Sequence, residues 1–326
     1  NNKKVDKKIK ISNYLIYVLL ASVCDVMPLR KLNRLIALKV LKNFDINSNL
    51  AIKEIFNLNN KNTKLSINDL SFLVGPILNA GGRLGKSNYA CELLSSNDSK
   101  IVNIKANQLI QLNNKRKKIE SLVINEIDFK KIENENKNVI VYYKQNINEG
   151  LIGIIAARLK EYFNKPSIVI TNSNNLLKGS ARSVYNYNIG RVINNLKYKD
   201  VVISGGGHDM AAGFTMKKNK LQKFNDFIIN DFSINGNSID NNFIYDGEVS
   251  SLALNRSFCT DKNLLEPFGV GNPEPIFLLK NLRIIKSTIL AYNHISLILK
   301  STSGKSLNAI CFNCVNSKVG KYLLNY

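Results

Sequence analysis

Ten consecutive residues, Ser204-Gly205-Gly206-Gly207-His208-Asp209-Met210-Ala211-Ala212-Gly213, set an imidazole beside three glycines in a row. Such glycines can take backbone angles closed to other residues and aim successive N–H groups at one point, forming an anion-holding nest. The plainer reading is a glycine turn with a helix-capping His. Because the chain has two His and places one here, the anion site is favoured. The run is neither a Walker loop nor a G-x-G-x-x-G fingerprint. Gly179-Ser180-Ala181-Arg182-Ser183 adds one guanidinium fork and two hydroxyls. Residues 75–85 read as a second glycine-dense loop, an interhelix turn or a further phosphate contact, carrying Asn79 and a lone Arg83. Cys24-Asp25-Val26-Met27-Pro28-Leu29 puts one carboxylate at the end of an apolar helix, either a helix-terminus accident or a metal ligand brought to a cleft.

Composition points to the same partner class. The 326 residues hold 46 Lys plus Arg against 24 Asp plus Glu, a net charge of +22, which selects a polyanion: nucleic acid before an anionic membrane. Part of that charge is compositional, since 49 Asn and 37 Lys stand against nine Arg, the bias of an A- and T-rich coding sequence. Where Lys is the default cation, an Arg marks a place that needs a planar fork. The apolar stretch Tyr14 to Cys24 is about half of the roughly 20 residues a bilayer span requires. Five cysteines, an odd number scattered through a long chain, do not make a disulfide framework and indicate a reducing, cytoplasmic setting. With 44% hydrophobic and 21% charged residues the chain can build real cores.

The elements that must carry these groups can be read from periodicity. Residues 1 to about 96 read as helical, with Leu32, Leu35, Ile36, Val40 and Leu41 at helical spacing, a capping-box start at Ser66–Asp69 and no convincing strand. Asp98 to Phe129 reads as one long helix joining two bodies, its stripe formed by Ile101, Ile104, Leu109, Leu112, Ile119, Leu122 and Val123. The run Lys115-Arg116-Lys117-Lys118 on it reads as a solvated face before a phosphate contact. An α/β pattern follows: strands at 139–143, 167–171, 176–183 and 201–204, helices at 150–163 and 189–196. Ser233 to Asn242 reads as a linker, and short strands at 243–249, 276–279, 282–289, 295–299 and 307–312 suggest a small β-barrel. No internal repeat is visible.

In order along the chain, these segments resemble the RecJ single-stranded-DNA exonucleases of the DHH phosphoesterase superfamily. Ala21 to Leu29 looks like the family motif that ends in its last metal-binding aspartate, here Asp25. Gly75 to Leu84 resembles the motif closing the catalytic domain, with Asn79 and Arg83 matching. Glu149 to Leu159 resembles the first helix of the DHH-associated domain. Gly179–Ser183 and Gly205–Gly213 resemble that domain's substrate motifs, and Leu265 to Pro275 resembles the segment leading into the OB-type barrel.

The resemblance implies an α/β multidomain chain: the C-terminal helical part of a DHH domain over 1–97, a connecting helix over 98–136, a DHH-associated domain over 137–232 and an incomplete OB-like domain over 243–326. It also implies 5′ to 3′ hydrolysis of single-stranded DNA in repair and recombination, with two divalent ions, Mn²⁺ or Mg²⁺. Asp25 would be a metal ligand, and Asn79, Arg83, Ser180, Arg182, Gly205, Gly206, Gly207 and His208 would hold nucleic acid. Single-strand-binding protein and a helicase would be partners, and no membrane.

There are departures. Ile77 stands where the family usually has an Arg, and Asn148-Glu149 replaces a His-Pro pair. The DHH motif and its upstream aspartates are not in these 326 residues; the resemblance places them before Asn1, and the chain alone is expected to be inactive. A phosphodiesterase of short oligonucleotides or cyclic dinucleotides, and a scaffold without catalysis, are the competing classes; strands after residue 242 count against the first. Cys311-x-x-Cys314 lacks a second pair for zinc, and His294 at a strand start reads as structural.

Overall fold

The computed structural model describes residues 10–236, 243–315 and 317–325. Its first part is helical, as the periodicity predicts. α1 (Leu15–Cys24) buries Ile16, Leu19 and Leu20, and α2 (Lys31–Asn43) buries Ala37 and Val40 while Leu32 and Leu35 stay exposed. α3 (Leu50–Leu58) opens on the Asn49 side chain, which accepts the Ile52 N–H at 3.0 Å. α4 (Ile67–Asp69) opens on the expected capping box: Ser66 Oγ accepts the Asp69 N–H at 3.2 Å, and the Asp69 carboxylate accepts the Ser66 N–H at 2.9 Å. A π turn, Leu70–Val74, then runs straight into α5 (Gly75–Arg83). The glycine-dense loop expected at 75–85 is therefore helix through Arg83. Pro76 sits in its first turn, where a missing N–H costs nothing, and Gly81 is small because a Cβ there would lie 2.5 Å from the Lys86 carbonyl. α6 (Asn88–Ser95), α7 (Ser99–Asn125) and the short α8 (Phe129–Asn134) follow.

α7 is the long helix the sequence predicts, and its buried stripe matches the expected one in part, with Leu112 and Ile119 half-buried. Ile101, Ile104 and Leu122 are exposed, whereas Val102, Ala106, Leu109, Asn113, Glu120 and Val123 are buried. A stripe defined by apolar residues alone leaves out the two polar side chains that face inward.

Beyond α8 the chain alternates between β1 (Ile140–Tyr143), α9 (Ile152–Phe163), β2 (Ser167–Ser173), β3 (Leu176–Arg182), α10 (Ile189–Tyr198), β4 (Ser204–His208), β5 (Ala211–Met216) and α11 (Leu221–Asn235). The strands form one sheet in the order β1-β2-β3-β5-β4, parallel between β1 and β2 and antiparallel elsewhere. One face packs Ile168, Ile170, Ala181 and Phe214 against α10 and α11; the other packs Ile140 and Val169 against α9. The strand expected at 201–204 instead begins at Ser204 and consists of the glycine run itself. Val201 and Val202 are buried ahead of it, and their apolar character is a core signal rather than a strand signal.

The C-terminal part holds β6 (Gly247–Glu248), α12 (Arg256–Asn263), β7 (Phe277–Leu278), β8 (Leu282–Leu290), β9 (His294–Ser301), β10 (Ser306–Cys311) and α13 (Lys318–Leu324). β8, β9 and β10 make an antiparallel meander, and β6 pairs with β7; among the described residues this is not a closed barrel. Of the expected linker 233–242, the first three residues belong to α11, and 237–242 lie outside the described residues.

The chain divides into two compact units, Phe44–Asn241 and Asn1–Asn43 with Asn242–Tyr326. Within the latter, the segment 265–275 grips the start of α2. Arg34 donates to the carbonyls of Leu265 (2.9 Å), Glu266 (3.0 Å) and Pro267 (3.3 Å), Arg30 Nε donates to Gly271 (2.7 Å), and the Leu29 N–H donates to Val270 (2.6 Å).

Candidate nucleic-acid interface

Residues paired across a sheet point to the same face, so the strand register decides which motif residues meet. Arg182 pairs with Ala211 and Ala211 with His208; Ser180 pairs with Gly213 and Gly213 with Gly206; Lys178 pairs with Thr215 and Thr215 with Ser204. All lie on the face that carries Val169 and α9, because Val169 pairs with Ser180. α9 packs over β2 and β3, and Ile140 of β1 shares its core with Val123 and Ile127. At the β5–β4 end of that face the Gly213–Gly206 row bears no side chain, between the Ala211–His208 row and the Thr215–Ser204 row: Gly213 and His208 are exposed, and a Cβ at Gly206 or Gly213 would meet nothing closer than 3.9 Å.

The three glycines of the run therefore serve two purposes. Gly205 and Gly207 face the packed side, where a Cβ would come within 2.8 Å of Phe214 and within 2.2 Å of the Ala211 carbonyl respectively. Gly206 faces the open side. None of the three has positive φ, and all lie in a paired edge strand, so the expected nest of converging N–H groups is not what they form. They make a smooth floor with an exposed backbone edge.

The guanidinium groups gather at one side of this floor. Arg182 Nη1 donates to Ser180 Oγ (3.2 Å) and the Ala181 carbonyl (2.9 Å), and Gly153, in the first turn of α9, leaves room for it: a Cβ there would lie 3.0 Å from Arg182 Nη2. Arg83, at the end of α5, donates to the Gly150 carbonyl at 3.1 Å, and Gly150 is small because a Cβ would strike the Arg83 backbone. Asn79 is exposed one turn earlier on α5, with open space at Gly82 between them. Burial pushes the Arg83 guanidinium below its usual pKa, the nearby Arg116 adds to this, and Glu120 opposes it. Burial and then Arg83 lower Arg182 in the same sense. Partly desolvated like charges held near one another gain most from an incoming anion.

His208 is exposed, and its Nδ1 accepts the Met210 N–H at 3.3 Å, which leaves Nε2 to donate outward. Sequence reasoning missed Asn113, Arg116, Glu120, Gly153 and Arg158. Arg116 is not on a solvated face: it donates to Asn113 and Glu120, and Glu120 also accepts from Arg158. The signal was the i, i+3, i+7 spacing of 113, 116 and 120, which puts them on one helix face.

Asp25 belongs to the other unit, exposed at the C-terminal end of α1 with its N–H donated to Ala21 at 2.9 Å. Among the described residues no group of three His, Cys, Asp or Glu could hold a metal ion. One exposed carboxylate does not fit a two-metal centre. Cys311 and Cys314 are free thiols, with Cys314 Sγ donating to the Cys311 carbonyl at 3.2 Å, and His294 Nδ1 accepts the Asn313 N–H at 2.9 Å. No described helix is long and apolar enough to cross a membrane.

Comparison with known proteins adds the following. The family model of the DHHA1 domain matches residues 136–233, and that of the RecJ OB domain matches residues 245–322. The single-stranded-DNA-specific exonuclease RecJ of Bacillus subtilis is 29% identical over 309 residues, covering 90% of this chain and 38% of the relative. That of Salmonella typhimurium is 28% identical over 309 residues, covering 91% and 53%. The chain thus spans between about two fifths and half of the length of these relatives. In fold it is similar to the crystal structure of RecJ in complex with Mn²⁺ from Thermus thermophilus (TM-score 0.77, 23% identity, 91% of this chain and 44% of that one) and to the same protein in complex with Mg²⁺ (TM-score 0.77, 22% identity).

Proposed function

From a chain that belongs to the RecJ family, with a DHHA1 domain and a RecJ OB domain, we propose a part in a single-stranded-DNA-specific exonuclease acting 5′ to 3′ in DNA repair and recombination. The carrying observation is the register that sets Ser180 beside a side-chain-free floor at Gly213 and Gly206 and Arg182 in the next row, in line with Ala211 and His208, with Arg83 close enough to perturb Arg182. A strand laid on that floor brings its backbone within reach of both guanidinium groups. Arg83 and Arg182 neutralise its phosphates, Ser180 and Asn79 supply polar contacts beside them, and His208 Nε2 donates at the far edge. Holding consecutive phosphates fixes the scissile bond, which is the positional part of catalysis. The division proposed is 1–97, 98–136, 137–232 and 243–326, the last guiding the strand by charge and stacking.

Two divalent ions, Mn²⁺ or Mg²⁺, when bound, supply water activation and a clamp on the phosphate. The described residues offer such a centre Asp25 alone, so no step of hydrolysis is assigned to them. Single-stranded DNA is the partner proposed first; single-strand-binding protein and a helicase follow from the family reading.

The test has two arms. This 326-residue chain should bind single-stranded DNA with strong salt dependence, and Arg182→Gln should reduce the slope of log K against log[salt] by about one while weakening all sequences alike. The full-length gene product should degrade a 5′-labelled oligonucleotide with Mn²⁺, and Asp25→Ala should abolish that. Binding without degradation by the full-length product would make the protein a scaffold instead.

A further inference from the structure

Phe72 lies in the middle of the π turn Leu70–Val74 and is 79% exposed, an apolar ring left in water with no part in the core. The backbone around it fixes its place. The Gly75 N–H donates to the Leu70 carbonyl five residues back, and Pro76 has no N–H to offer the Phe72 carbonyl, so the ladder widens here before α5 begins. Leu70 and Val74, on either side of Phe72, are fully buried and hold the turn to the core. The ring therefore stands on a braced turn and not on a loop.

Along this helical run, exposure follows one stripe. Leu70, Val74, Ile77, Leu78 and Gly81 are buried, whereas Phe72, Asn79 and Gly82 are exposed, with Pro76 and Arg83 half-buried among them. The spacing 72, 76, 79, 83 is that of one helix face, and the stripe carries no carboxylate to repel a strand. Seven residues at about 1.5 Å each put Phe72 about 10 Å along the axis from Asn79, the length of about three nucleotides in a strand stacked at about 3.4 Å per base. A strand held at Asn79 and Arg83 and continuing along α5 toward its N-terminal end brings a base to the ring.

We propose that Phe72 is a stacking platform for a base of the single strand. The inference rests on reading Asn79 and Arg83 as contacts to that strand, and it adds a base contact to groups that reach only its backbone. An aromatic face takes any base, so the platform adds affinity without sequence preference. A base inside a duplex has both faces covered, so the platform also favours unpaired strands.

The experiment titrates the 326-residue chain at fixed salt with two oligonucleotides of equal length and charge, one of mixed bases and one abasic throughout, and records thermal unfolding for each variant. Phe72→Ala should weaken binding of the base-bearing strand by about tenfold and leave the abasic strand within about twofold of the parent. Phe72→Leu, which keeps apolar bulk without a ring face, should lose nearly as much, and parental affinity in that variant overturns stacking. Because the chain has no Trp, Phe72→Trp supplies a unique probe: the base-bearing strand should quench its emission at saturation and the abasic strand should not. Equal weakening of both strands by Phe72→Ala, parental affinity for both, or emission that the base-bearing strand leaves unchanged overturns the proposal. A parent chain that binds neither strand would sink the phosphate-holding reading together with this one, whereas a parent that binds both, with no base-dependent loss at Phe72, sinks this one alone.

Discussion

At the scale of single residues, adjacent glycines in one motif answer to different constraints. Gly207 faces the packed side of its sheet, with the Ala211 carbonyl 2.2 Å from where a Cβ would stand, while Gly206 faces open space. Gly207→Ala should therefore cost about 1–3 kcal/mol of stability by overpacking. Gly206→Ala should change stability by no more than about 0.5 kcal/mol and yet weaken binding of single-stranded DNA. Urea unfolding and a binding titration on the two variants separate these effects. The thiols give a second residue-scale expectation. Burial, followed by its contact with Cys314, pushes Cys311 up to about 11. Raising a thiol pKa lowers the thiolate fraction at any pH below it, so at about pH 8 Cys311 should alkylate more slowly than exposed Cys91 and Cys259. Its rate should climb only as pH approaches about 11, as peptide mapping after timed alkylation would show.

At the scale of elements, the helices are placed by polar devices as much as by apolar ones. The capping box at Ser66 and Asp69 starts the short turn that leads through a π turn into α5, and so sets where Arg83 emerges. Asp69 is nearly fully buried and also pairs with Lys61. Ser66→Ala removes one side of the box and should cost about 1 kcal/mol, readable as a shift in urea midpoint with an unchanged slope. On α7 the buried Asn113 and Glu120 are tolerated because Arg116 and Arg158 satisfy them. Apolar periodicity is silent about such a face.

At the scale of the whole molecule, the first forty-odd residues group with the C-terminal strands rather than with the helices next to them in sequence. Arg34 reaching three carbonyls of the segment 265–267, more than two hundred residues away, is the tie that periodicity could not reveal. Limited proteolysis should accordingly leave a resistant core within residues 44–241, identified by mass. A resistant core covering 1–96 would contradict the division into these two units.

The local elements of the α/β part, the long helix and the capping box at Ser66 were legible in the sequence, as was the gathering of the Ser180-x-Arg182 and glycine-His motifs in one domain, because they depend on neighbours a few residues apart. Where the glycine run would go was not. Whether three glycines curl into a nest or extend into a strand depends on β5 pairing with them and on Phe214 and Gly190 filling one side. Nor was the partner of Arg116, since a cation on a helix reads the same whether it faces water or a buried carboxylate, and only the packing of α9 against α7 decides. Residue types determined which chemistry the chain could offer; sheet register and helix packing determined which of those groups face one another across open space.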